Sequence, residues 1–259
     1  MSDDLVSFKA VIASGVEAER DLLRECTAKG AFPVDYAELS DPNNAAAICG
    51  LVAQDAVDFI FVGQHLSKND RGAIYKAALA AHSKPLVIFV GAADLAAREV
   101  LQEDATADGI LARPVGKAEA GAMIDNCARA RLPKQVLVVD DSAIVRAVVR
   151  KVLQASRFRM EIAEAEDGNA AAELVSKQRF DIVLLDCNMP GVDGFATLDR
   201  LKSLRNDLSV VMTTSTRDAR IEDRARASGA DDFLFKPFYA NDIDAILRRL
   251  FGLVRSKAD

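Results

Sequence analysis

The sequence has no basic surplus with which to hold a polyanion. Up to Arg131 there are 13 basic and 19 acidic residues and beyond it 20 of each, so the net charge of −6 lies in the first half. With no basic arm either, nucleic-acid binding is excluded. The start, "MSDDLVSF", lacks the basic and apolar regions of a leader, and no apolar run nears the roughly 18 residues of a membrane span. A cytoplasmic protein without membrane association is predicted. Cys26, Cys49, Cys127 and Cys187 form no CxxC pair, which leaves buried, reduced thiols as the expectation. Low-complexity tracts are also missing. Half of the 259 residues are apolar and 28% are charged, enough for two ordinary cores of about 130 residues each.

What is present is an alternation of two hydrophobic periods. In the second half, short β-rich runs at 135–139, 160–164, 182–185, 209–213 and 232–235 alternate with helical spacing at 143–154, 168–177, 194–204, 220–228 and 240–251. Five strands alternating with five helices predict parallel strands, right-handed crossovers and helices on both faces of the sheet. The first half repeats the order, with strands at 9–13, 33–37, 59–62, 86–90 and 109–112 and a last helix at 117–130. The reading is a first domain over 1–130, a linker over 131–135 that Pro133 opens by stopping the helix, and a second domain over 136–259.

In such sheets ligands bind at the carboxyl ends of the strands. The second half places Asp140 and Asp141 after its first strand, Asp186 after the third, Thr214 after the fourth and Lys236 after the fifth. Three carboxylates at one edge repel one another unless a cation intervenes, and an oxygen-only open site suits Mg²⁺ or Mn²⁺.

"VLVVDDS", "VLLDCNMPGVDG", "MTTS" and "LFKPF", in that order and spacing, resemble the receiver domains of two-component response regulators over about 120 residues. The resemblance implies a flavodoxin-like fold of strand order 2-1-3-4-5. It implies Asp186 as the acceptor of a phosphoryl group from a sensor histidine kinase or histidine phosphotransferase. Asp140, Asp141, Asp186 and the backbone carbonyl of Asn188 would hold the metal, and Thr214 and Lys236 would contact the phosphoryl oxygens. Phe233 falls at the family's switching aromatic, and Asn188 and Thr216 fall where the hydrolytic water is tuned.

At an offset of 123 residues, Asp186 falls on Gly63, Thr214 on Gly91 and Lys236-Pro237 on Arg113-Pro114. With three residues of slippage, Asp140 and Asp141 fall on Ser14 and Gly15. The first half resembles a degenerate receiver without nucleophile or metal ligands, and Ser14 is expected to cap the helix that follows it. His65 and His82 are expected to be structural.

Two other functions compete with this reading. A phosphatase of the haloacid dehalogenase type needs a second aspartate as general acid two residues after the nucleophile, and Asn188 has no proton to give. A scaffold that works without phosphorylation, or a phosphate sink, is the remaining alternative. The chain ends at Asp259 soon after its last helix, which predicts no separate output domain and not an enzyme but a phosphoacceptor. Output would pass to a protein partner, or to a second receiver, through the face built from 220–228, 232–235 and 240–251. Arg224, Arg226, Arg248 and Arg249 are expected to supply that face with charge, and Asp231 and Asp232 to be solvated.

Overall fold

The computed structural model describes residues 7–28, 30–37, 39–54, 56–92, 107–190 and 193–254. The described residues up to Arg131, joined by those from Phe251 to Val254, form one unit, and Leu132–Leu250 form the other. The first unit runs β1 (Phe8–Ala13), α1 (Glu17–Thr27), β2 (Val34–Tyr36), α2 (Ala45–Ala53), β3 (Phe59–Gly63), α3 (Lys68–Ala80), β4 (Leu86–Gly91), β5 (Gly109–Ala112) and α4 (Lys117–Arg131). The second runs β6 (Lys134–Val139), α5 (Ala143–Ala155), β7 (Met160–Ala165), α6 (Gly168–Lys177), β8 (Ile182–Asp186), α7 (Gly194–Leu204), β9 (Ser209–Thr214), α8 (Ala219–Ala227), β10 (Asp232–Phe235) and α9 (Ala240–Leu250).

Each unit holds a five-stranded parallel sheet, ordered β2-β1-β3-β4-β5 in one and β7-β6-β8-β9-β10 in the other. The two registers coincide. Ala10 pairs with Phe59 as Val136 pairs with Ile182, and Gly63 pairs with Val90 as Asp186 pairs with Thr213. The offset is thus 126 residues in the first two strands and 123 in the last three, as the slippage in the alignment requires.

The aspartate that opens several strands has a structural task. Asp58, Asp108, Asp181 and Asp231 accept, through Oδ2, the amides of Lys9, Val87, Gln135 and Val210 on the neighbouring strand, at 2.8 to 2.9 Å. Each satisfies a donor where the parallel ladder begins. Asp231 also takes Lys202 Nζ at 2.6 Å, and Asp232 takes Arg249 Nη2 at 2.6 Å. The two residues expected to be solvated are therefore fastenings.

Both faces of the strands are buried, which is why they read as continuous apolar runs. In the second unit Leu137, Val139, Val183, Leu185, Val210 and Met212 pack with α6 and α7. Val136, Ile182, Leu184 and Val211 face Leu153 of α5 and Ile243, Ile246 and Leu247 of α9. Burying each such side chain stabilises the fold by about 1.5–3 kcal/mol. Side chains of Ser142, Asp167, Asp193 and Asp218 cap the helices that follow them.

Two departures from the expected boundaries change what the segments do. Arg131 is still helical and buried, donating to Ser83 O at 2.9 Å, and the Lys134 amide already donates to Arg159 O. Only Leu132 and Pro133 lie between α4 and β6. At the other end, Leu253 is fully buried in the first unit, where its carbonyl accepts the Ile110 amide at 3.2 Å. Gly252 makes the turn at φ +67°, and its carbonyl accepts Asn126 Nδ2 at 3.1 Å. β5 is an edge strand, so these residues cover backbone that would otherwise lie open.

Candidate functional site

The strands of the second unit deliver its polar residues to one edge. Asp186 ends β8 and Thr214 ends β9, while Asp140 follows β6 and Lys236 follows β10. Asp140, Asp186 and Thr214 are buried. Lys236 Nζ donates to Asp186 Oδ1 at 2.7 Å and also to Asp140 Oδ2, so one ammonium joins carboxylates from two adjacent strands. Each carboxylate is also held by a backbone amide. Ser142 N donates to Asp140 Oδ1 at 2.9 Å, and Asn188 N donates to Asp186 Oδ2 at 3.1 Å. Thr214 Oγ1 accepts Asn188 Nδ2 at 3.3 Å and the Thr216 amide at 3.2 Å.

Burial lowers the pKa of Lys236, but its bonds to Asp140 and Asp186 outweigh this and leave it raised. Next door, burial and then the Asp186 charge push the Cys187 thiol up to about 12, so it stays a protonated, unreactive neighbour.

Asp141 stands apart from this pair. Its side chain is exposed, and among the described residues no three His, Cys, Asp or Glu side chains gather into a metal-sized cluster. Asp140 and Asp186 converge on Lys236, and Asp141 lies exposed beside them in the loop that follows β6. The donors still suit a small hard cation in kind: carboxylate oxygens only, already turned toward one positive charge. Gly191 and Val192 of the central motif lie outside the described residues.

Residues 136–248 match the response regulator receiver domain family. Residues 136–248 are a receiver domain. Response regulator MprA of Mycolicibacterium vanbaalenii is 34% identical over 119 residues, covering 46% of this chain and 51% of that protein. Protein CcdB of Bacillus subtilis is 35% identical over 118 residues, covering 46% of this chain and 98% of that protein. The chain spans about half the length of the MprA relatives it matches. A solved two-component system response regulator/GGDEF domain protein aligns over 95% of this chain and 98% of its own, at 18% identity and a TM-score of 0.54. That last likeness is one of fold. No helix among the described residues is long and apolar enough to cross a membrane.

The corresponding strand ends of the first unit carry different residues. Arg113, at the position of Lys236, pairs with Glu19 on α1, its Nε 2.6 Å from Glu19 Oε1. His65, at the position of Asn188, accepts the Gly15 amide through Nδ1 at 3.3 Å. A Cβ on Gly63, the counterpart of Asp186, would lie 2.6 Å from that nitrogen. Burial and then the charge of Arg113 lower the His65 pKa. Ser14 does not cap α1. Val16 holds that position, and Ser14 Oγ instead donates to Glu19 Oε2 at 2.7 Å and accepts the Val16 amide. Glu19 draws the hydroxyl toward Arg113.

The arginines expected on the outer face are largely engaged within the receiver domain. Arg224 lies 3.8 Å over the Phe195 ring, Arg226 bonds Glu222 at 2.8 Å, and Arg249 holds Asp232. Phe233 is buried, with its ring 5.1 Å from that of Phe235.

Two residues at the site escaped the sequence reading. A Cβ on Gly194 would come within 2.2 Å of Asp186 O, so only glycine lets α7 start this close to the strand end. Arg146 Nη1 donates to Asp140 O at 2.7 Å. The repeat held a signal for it, since Arg20 follows Ser14 by the same six residues.

Proposed function

We infer that the second unit accepts a phosphoryl group on Asp186 from a phosphohistidine of a sensor kinase or histidine phosphotransferase, with Mg²⁺ or Mn²⁺. The observation that carries this reading is the Lys236 ammonium shared by Asp140 and Asp186, beside the Thr214 hydroxyl. A carboxylate attacks a dianionic phosphoryl group slowly until fixed cations screen the repulsion. In the transfer a P–O bond to Asp186 forms, the P–N bond of the donor breaks, and the departing imidazole takes up a proton. Lys236 neutralises charge on the transferred oxygens, Thr214 offers them a hydrogen bond, and the Asn188 amide orients the nucleophile. Asp140, Asp141, Asp186 and the Asn188 carbonyl would hold the metal, which supplies positive charge to the phosphoryl oxygens when bound.

The first unit is read as a degenerate receiver, because its sheet has the same register while its site keeps no nucleophile. Ile144 and Val148, one turn apart on α5 and both exposed, put an apolar strip beside the Asp140 loop where a donor helix could dock. Output would go to a protein partner or second receiver through the face of α8, β10 and α9. A phosphate sink is the second reading, and the intact site serves it equally. Phosphotransfer profiling against purified sensor kinases and histidine phosphotransferases tests the proposal. One partner should load Asp186 much faster than the rest, and transfer from none of them would contradict it.

A further inference from the structure

Asp140 is held at every polar atom. Its amide donates to Ala165 O at 3.3 Å, Oδ1 accepts the Ser142 amide, Oδ2 accepts Lys236, and its carbonyl accepts Arg146 Nη1 at 2.7 Å. The last of these comes from α5. Arg146 is mostly buried, and it is braced in turn: Nε donates to Glu164 Oε2 on β7 at 3.1 Å, and Glu164 Oε1 accepts Arg150 Nε at 2.9 Å. The Asp140 carbonyl is one edge of a rigid plane, the peptide between Asp140 and Asp141. Fixing it sets ψ of one residue and φ of the next, the backbone directions from which both carboxylates leave.

We propose that Arg146 is a positioning residue that aims Asp140 and Asp141 through this peptide plane. The inference rests on the phosphoacceptor reading given above. The same clamp recurs inside the same chain. Arg20 Nη1 donates to Ser14 O at 2.7 Å, the same bond at the same spacing in the first unit, where the loop carries no carboxylates. The clamp is therefore a device of the fold, and only the second unit has side chains for it to aim. Glu164 is held as an anion by the arginines on either side: its bond to Arg150 lowers its pKa most, and that to Arg146 adds to it.

The test uses the full chain, with Mg²⁺ as the probe and two readouts: Mg²⁺ affinity from amide shifts of residues 139–142, and metal-free hydrogen exchange at Asp141 and Ser142. Arg146→Ala should weaken Mg²⁺ binding about tenfold or more, the usual effect of removing a residue that supports a metal ligand. It should also speed exchange at both amides while first-unit amides stay unchanged. Arg146→Lys should restore part of each, Glu164→Gln should show a smaller loss, and Arg20→Ala should alter neither. Wild-type Mg²⁺ affinity in Arg146→Ala, or unchanged exchange at Asp141 and Ser142, overturns the proposal. If wild type itself binds no Mg²⁺, the phosphoacceptor reading falls, and the metal-free exchange still decides whether the clamp sets the loop. If Arg146→Ala does not fold, Arg146→Lys and Glu164→Gln decide on the same readouts.

Discussion

Lys236 reaches Asp186 across an intervening strand: it leaves β10, passes β9 with Thr214 at its tip, and sets its ammonium 2.7 Å from Asp186 Oδ1 at the end of β8. The same nitrogen bonds Asp140, so the outer strand is tied to the two central ones by charge.

This tie predicts a pH dependence. The Lys236 pKa is raised above the ordinary lysine value of 10.5, because its carboxylate bonds outweigh its burial. A raised cationic pKa contributes stability that is complete below the unfolded value and lost as pH rises through the folded one. Metal-free wild type should therefore exceed Lys236→Met in second-unit stability at neutral pH, with the gap shrinking only above pH 10.5. Urea unfolding from pH 7 to 11 measures it, and a gap already closed at pH 8 would refute the assignment.

Metal should stabilise the same unit. Mg²⁺ at ~100 times its dissociation constant adds about 2.7 kcal/mol if the unfolded chain does not bind it. Asp141→Ala should abolish most of that gain. Because the Asp141 side chain is exposed, metal-free stability should stay within about 0.5 kcal/mol of wild type. Equal shifts of thermal unfolding in both proteins would move the metal site elsewhere.

How far the site could be read from sequence depended on whether its geometry is local. Asp140, Asp186, Thr214 and Lys236 stand where an apolar run stops, and a parallel sheet brings all such points to one edge, so period and order sufficed to place them together, though not to assign their roles. Asp231, Asp232 and Ser14 misled because an acidic pair or a lone serine looks alike whether solvated or fastened. Their partners lie on other elements: Lys202, Arg249 and Glu19. The place of Leu253 in the first unit was invisible for the same reason, since it adjoins α9 in sequence and β5 in space.

That placement gives a stability prediction. Leu253 is fully buried against Gly109 and β5, so Leu253→Ala should cost the first unit about 2–5 kcal/mol. Hydrogen exchange resolved by residue should show the loss at Ile110 and its neighbours. Equal protection there in mutant and wild type would show that the segment is dispensable.

Placing an aspartate at Gly63 should not give the first unit a phosphoryl site. In Gly63→Asp the new Cβ meets His65 Nδ1 at 2.6 Å and Ala13 O at 3.0 Å, and Arg113 is already paired with Glu19. The variant should unfold at lower denaturant than wild type and gain no second phosphoryl group. Two groups on this variant would mean that the first unit lacks only a nucleophile.

A phosphoryl group on Asp186 is directly visible by intact-mass spectrometry after incubation with acetyl phosphate and Mg²⁺. Wild type should gain the mass of one phosphoryl group, labile to hydroxylamine as an acyl phosphate is, and Asp186→Asn should gain none. A full-stoichiometry adduct on Asp186→Asn, or none on wild type with any phosphodonor, would contradict it.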